Sequence, residues 1–124
     1  MAVRKINHNR RIRSKTSTTL SKVDFGDIIE FSYNVKNVYD KKPLVFVLSQ
    51  KGKILNGINI GYVKEYIIEK LIEETNPKKL KTWPLVDNAF RTYKKSNVKM
   101  IKLIEYETLP QRKLRLLKER TNED

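Results

Sequence analysis

Residues 43–60 read Pro43-Leu44-Val45-Phe46-Val47-Leu48-Ser49-Gln50-Lys51-Gly52-Lys53-Ile54-Leu55-Asn56-Gly57-Ile58-Asn59-Ile60, and this stretch decides the fold class. The unbroken apolar run after Pro43 has the length of a strand, and its lack of alternation is that of a central strand covered on both faces. Gln50-Lys51-Gly52-Lys53 is a tight hairpin turn, so residues 54–60 return antiparallel to the first strand. Upstream, Gly26-Asp27 opens another strand over residues 28–33. There Ile29, Phe31 and Tyr33 share one face while Ile28, Glu30 and Ser32 share the other. Residues 34–42 form the polar loop between these strands.

Downstream, Val63, Tyr66, Ile67 and Leu71 recur at helical spacing and predict a helix of about three turns that ends near Asn76-Pro77. Beyond a linker over 77–82, Trp83-Pro84 reads as the start of a second helix carrying Leu85, Ala89, Phe90 and Tyr93. Residues 98–106 read as a strand with Val98, Met100, Ile104 and Tyr106 in phase, and Thr108-Leu109-Pro110 as the start of a C-terminal helix through Arg120. The expected fold is α+β: a small, bent antiparallel sheet, in its closed form an SH3-like barrel, with two or three helices packed on it. The expected divisions are a basic extended arm over 1–22, a core domain over 23–109 and a C-terminal helix or tail over 110–124. Phe31, Val45, Val47, Ile58, Ile67 and Leu71 are the predicted core. The arm supplies almost no core residues, so its removal is expected to spare folding.

At 124 residues and 39% hydrophobic content, one domain with one real core is expected, without metal or disulfide staples. The absence of cysteine excludes thiolate zinc sites, disulfides and thiol nucleophiles. No apolar run approaches the ~18 residues of a membrane span. The basic N-terminus is followed by polar residues rather than an apolar signal core, so neither a membrane partner nor a secretion signal is expected.

Charge is the dominant feature: 27 Lys and Arg against 14 Asp and Glu, a net +13. The excess sits in two blocks. Residues 1–22 carry Arg4, Lys5, Arg10, Arg11, Arg13, Lys15 and Lys22 with no acid, while residues 77–102 carry Lys78, Lys79, Lys81, Arg91, Lys94, Lys95, Lys99 and Lys102 against Asp87 alone. Residues 23–76 and 103–124 are close to neutral. Segregated positive charge is the footprint of a polyanion binder.

Catalytic constellations are absent from the sequence. His8 is the only histidine and lies in the arm, so no His metal site or Ser-His pair can be assembled in the core. Asp24, Asp27 and Glu30 read as solvated acids rather than metal ligands. Gly57-Ile58-Asn59-Ile60-Gly61 matches neither a P-loop nor a dinucleotide fingerprint and reads as a twisted or bulged strand. No cofactor and no enzymatic activity are expected.

The basic segments carry the functional expectation. Arg10-Arg11-Ile12-Arg13 among serines and threonines suits phosphate contact, because guanidinium groups donate in pairs and hydroxyls add further bonds. The residues expected to contact nucleic acid are Arg4, Lys5, Arg10, Arg11, Arg13, Lys15, Lys78, Lys79, Lys81, Arg91, Lys94 and Lys95. Trp83 and Tyr93 lie among the second block, where they could stack on bases or anchor the core; for Trp83 the core role is preferred. The expected mode is backbone binding with little base specificity.

Tyr39-Asp40-Lys41-Lys42-Pro43-Leu44, then Gly57-Ile58-Asn59-Ile60-Gly61-Tyr62, then Arg91-Thr92-Tyr93-Lys94-Lys95-Ser96-Asn97-Val98 resemble small uncharacterised proteins of tailed bacteriophages. The shared pattern, YD-x-x-PL … G-x-N-x-x-Y … R-x-Y-x-x-S-x-V, covers about residues 25–109. Gly61-Tyr62 stands where many such proteins carry His-Tyr, so any role of that histidine is missing here. The resemblance implies a virion- or DNA-end-associated protein without catalysis. Taken with the charge, it implies a phage nucleic-acid-binding component of a virion or packaging assembly, located in the virion or the host cytoplasm. DNA is the expected partner beside other virion proteins, and a homo-oligomer is compatible. Two alternatives remain open: an assembly protein whose basic arm grips protein neighbours, and a barrel-type RNA-cleaving toxin, whose opening is similar to Gly26-Asp27-Ile28-Ile29 and Lys42-Pro43-Leu44-Val45-Phe46-Val47.

Overall fold

A computed structural model describes residues 12–73 and 84–106. Six strands, β1 (Ile12–Ser17), β2 (Ile28–Ser32), β3 (Leu44–Lys51), β4 (Ile54–Asn59), β5 (Phe90–Lys94) and β6 (Lys99–Tyr106), form one antiparallel sheet. Its order is β1-β6-β2-β3-β4-β5. One α-helix, α1 (Glu65–Glu73), and four 3-10 turns accompany it among the described residues.

The expected α+β fold, an SH3-like bent sheet with two or three helices, is corrected by this architecture. The unit is mostly sheet. Of residues 83–93, read as a second helix, the described residues 84–93 are instead a 3-10 turn (Pro84–Ala89) running into β5. Three residues per turn place Val86 and Ala89 above one another, and both are buried. The chain then pairs with β4 from Ile58↔Phe90 to Ile54↔Lys94. Phe90 and Tyr93, assigned to one helical stripe, therefore enter different cores. The C-terminal helix expected from Thr108 lies outside the described residues.

The apolar run becomes the central strand. All five residues from Leu44 to Leu48 are buried, because the pleat sends successive side chains of this central strand, flanked by β2 and β4, to two cores on opposite faces. Ile29, Phe31, Tyr33, Val45, Val47, Leu55, Tyr93 and Val98 form the inner core, and Ile28, Phe46, Ile58 and Ile104 lie on the outer face. The helix seals the outer face with Ile67, Ile68 and Leu71. Tyr66, expected on that stripe, is half exposed, and Ile68 takes its place. The six predicted core residues, Phe31, Val45, Val47, Ile58, Ile67 and Leu71, are all buried.

The sheet curls tightly around the inner core. Tyr33, just past the end of β2, meets Tyr93 of β5 at 5.0 Å between ring centroids, although two strands separate β2 from β5 in the order. The Tyr33 hydroxyl accepts from the Lys94 backbone N–H at 3.1 Å. This closure lets three residues of 3-10 turn, Lys95–Asn97, carry the chain from β5 to β6.

The 98–106 strand is present but its phase breaks. Between Glu30↔Lys102 and Ser32↔Lys99, β6 spends one residue more than β2, a bulge at which Met100 adopts φ +53°. Met100, expected in phase with Val98 and Ile104, is exposed, and those two residues occupy different cores.

The described part of the arm belongs to the sheet. β1 pairs with β6 from Ile12↔Tyr106 to Ser17↔Lys102, Ile12 and Leu20 pack against the two cores, and the Gln50 side-chain amide donates to Leu20 O and Val23 O, each at 2.9 Å. Deleting residues 1–22 is accordingly expected to destabilise the protein, by about 2–4 kcal/mol for the loss of two partly buried side chains and an edge ladder. Deleting residues 1–11 removes none of these bonds, so its urea midpoint should lie above that of the longer truncation. Equal midpoints for the two truncations would show that β1 contributes nothing.

Candidate nucleic-acid interface

The outer face of β3, β4 and β5 beyond α1 carries a positively charged polar surface. Register places Lys51, Ile54 and Lys94 in one cross-strand row. At about 4.8 Å per strand spacing, the two lysines stand about 10 Å apart across Ile54. The next row on that face is Ser49, Asn56 and Thr92, because a bulge in β3 between Val47 and Ser49 shifts Ser49 into register with Asn56. These side chains bond along the row: Thr92 Oγ1 donates to Asn56 Oδ1 at 3.1 Å, and Asn56 Nδ2 donates to Ser49 Oγ at 3.3 Å. Leu48, Ser49, Asn56, Gly57, Phe90, Arg91 and Thr92 surround an open hollow of about 230 Å³. A hydroxyl and an amide row beneath two ammonium groups is chemistry suited to phosphate oxygens.

More positive charge adjoins this face. Lys53 lies in the β3–β4 turn, where Gly52 at φ +56° allows the two-residue reversal. The Lys95 N–H donates to Lys53 O at 2.9 Å, which brings that turn against the end of β5. Among the described residues the ion pairs are Arg13–Glu105 at 2.9 Å and Lys15–Glu30 at 3.2 Å. Lys51, Lys53, Lys94, Lys95, Lys99 and Lys102 take part in neither.

Arg91 is held at the other end of β5. Its Nη1 donates to Asn88 O at 2.6 Å and Phe90 O at 2.8 Å, and its guanidinium lies 5.1 Å from the Tyr62 ring centroid. Such a clamp fixes the direction of the guanidinium while leaving further N–H groups for a ligand.

Residues 39–44, 57–62 and 91–98 converge beside it. Asn59, 2% exposed, accepts from the Gly61 N–H at 3.0 Å and donates to Asp40 Oδ2 at 2.9 Å. Tyr93 lies next to this pair. Burial pushes its phenol well above the usual tyrosine range, Asp40 adds to the shift, and Arg91 and a hydrogen bond with Asn59 oppose it. A phenol held neutral, a capping amide and a half-buried carboxylate pin the 34–42 loop to β4.

Of the expected contact residues, Arg91, Lys94 and Lys95 lie on or beside the hollow. Arg13 and Lys15 sit apart on β1, each paired with a carboxylate. Arg4, Lys5, Arg10, Arg11, Lys78, Lys79 and Lys81, together with His8 and Trp83, lie outside the described residues. Tyr93, one of the two aromatics read as base-stacking candidates, is instead part of the inner core. The acids read as solvated have local partners: Asp27 Oδ2 accepts from the Asp24 N–H at 2.8 Å, and Glu30 is held by Lys15. Among the described residues no three His, Cys, Asp or Glu side chains converge.

Sequence reading missed Ser49, Lys51, Lys53, Asn56 and Thr92. The hairpin signal at residues 50–53 already placed two lysines at one tip, but the rest required β5 to be recognised as a strand beside β4. No family model, curated protein or solved structure matches this chain.

Proposed function

We propose that this protein is a non-enzymatic nucleic-acid-binding protein that holds the phosphate backbone, with DNA as its partner, through the β3–β4–β5 face. The observation that carries this reading is the Lys51–Ile54–Lys94 row above the Ser49–Asn56–Thr92 ladder, flanked by Lys53, Lys95 and Arg91. Among the described residues these lysines join neither ion pair, and cations not engaged by a carboxylate keep their attraction for an external polyanion. The resemblance of residues 25–109 to tailed-phage proteins supports a place in a virion or packaging assembly.

The test is a titration of labelled duplexes of unrelated sequence at increasing salt. Log affinity should fall linearly with log salt, by about 0.9 per phosphate contact. The double variant Lys51→Ala/Lys94→Ala should flatten that slope by about 2 and weaken binding equally for each sequence, with an unchanged unfolding midpoint. Salt-independent binding, or a slope unaltered in the double variant, would overturn the assignment.

A further inference from the structure

Tyr39 is 99% exposed, the most exposed of the large hydrophobic residues described, yet both its neighbours are fixed. On one side Val35 and Val38 pack against the inner core. They are joined by a turn in which the Val38 N–H donates to Val35 O at 3.2 Å and Asn37 takes φ +68°. On the other side Asp40 is held by Asn59 at 2.9 Å and accepts from the Lys42 N–H at 3.3 Å. The base of the loop is closed by the Tyr33 N–H donating to Lys41 O at 2.8 Å and by the Lys41 ammonium bonding back to Val35 O. The ring thus projects from a braced loop, so little backbone entropy is left to lose when something covers it.

Cations outnumber the carboxylate around it by three to one. Lys36, Lys41 and Lys42 are exposed in the same loop, and its single carboxylate, that of Asp40, is engaged by Asn59 and the Lys42 N–H. An aromatic face among cations is the combination that holds single strands: the ring stacks on an unpaired base and the ammonium groups meet the flanking phosphates. With Tyr93 in the core, that role passes to a residue the basic blocks do not contain.

We infer that Tyr39 is a base-stacking platform, with Lys36 and Lys42 as its phosphate partners, and that it directs the protein to single-stranded nucleic acid or to the unpaired end of a duplex. This rests on the backbone-binding reading and adds the form of the strand. Duplex bases are already stacked on one another, so Tyr39 adds nothing to binding within an intact helix.

The experiment compares labelled oligothymidine, an abasic strand of equal length and a duplex whose ends are closed by hairpins. Tyr39→Ala should weaken oligothymidine binding by about fivefold or more, leave the closed duplex within about twofold, and keep the unfolding midpoint. Tyr39→Phe should retain wild-type affinity, because the ring and not the hydroxyl makes the contact. The abasic strand should bind wild type and Tyr39→Ala alike. Unchanged oligothymidine binding in Tyr39→Ala, an equal loss on the closed duplex, or a loss in Tyr39→Phe as large as in Tyr39→Ala would overturn the platform while leaving backbone binding intact. Failure of the wild-type protein to bind any of the three would overturn the backbone reading itself.

Discussion

Phe31→Ala is expected to cost about 3–5 kcal/mol of folding free energy, seen as a fall in the urea midpoint with little change in slope. Phe31 is 1% exposed and meets Tyr93 edge to face at 5.1 Å and Tyr33 at 6.1 Å. Tyr33 and Tyr93 in turn meet at 5.0 Å. The three rings come from β2, its exit and β5, and they fill the space inside the curl where a flat sheet would leave no interior. Removing one ring loses its transfer energy and its quadrupolar contacts, and it leaves a cavity whose walls are strands locked by their ladders. Tyr93 lies between Thr92 and Lys94, so the loss is expected to loosen the candidate interface as well as the core. Phe31→Leu should recover more than half of the stability. A Phe31→Ala cost below about 1 kcal/mol would mean that the curl does not depend on this cluster.

Gly57→Ala should lower stability by about 2 kcal/mol, against the usual gain from replacing a strand glycine. Gly57 stands opposite Val47 on one side and Arg91 on the other, and a Cβ there would lie 2.9 Å from Phe46 O and press into the Val45 side chain. The obstacles are the fully buried Val45 side chain and the Phe46 backbone carbonyl, and neither can move without disturbing the core. Gly57 also lines the hollow, so relief by shifting β4 against β3 would disturb the Ser49–Asn56–Thr92 ladder. Weakened duplex binding beyond the loss explained by unfolding is expected. Gly52→Ala is the comparison, since a Cβ there meets nothing and only the φ of +56° is strained. If both variants behave alike, the close approach at Gly57 is not what the position requires.

The central hairpin was legible because its signals are local. The apolar run of residues 44–48, the turn over 50–53 and the alternation of residues 28–33 each arise from neighbours in sequence, and the helix carrying Ile67 and Leu71 follows from one repeated spacing, although Val63 caps the 3-10 turn before it. Charge segregation was equally visible, since it needs only counting. Residues 84–94 were not legible: Ala89, Phe90 and Tyr93 satisfy a helical spacing, while the pairing with β4 that makes them turn and strand comes from residues more than thirty positions away. β1 was hidden for a related reason. Its outward side chains are polar because it is an edge, so it carries no apolar alternation, and only β6 reveals it as a strand. The exposure of Met100 depended on a bulge that no periodicity announces. The candidate interface inherits these limits. Sequence alone determined that the protein is basic, cysteine-free and built around a β-hairpin. Tertiary structure decided which cations share a face, that Tyr93 is core and that Tyr39 is not, because long-range strand pairing and the closure of the curl set those positions.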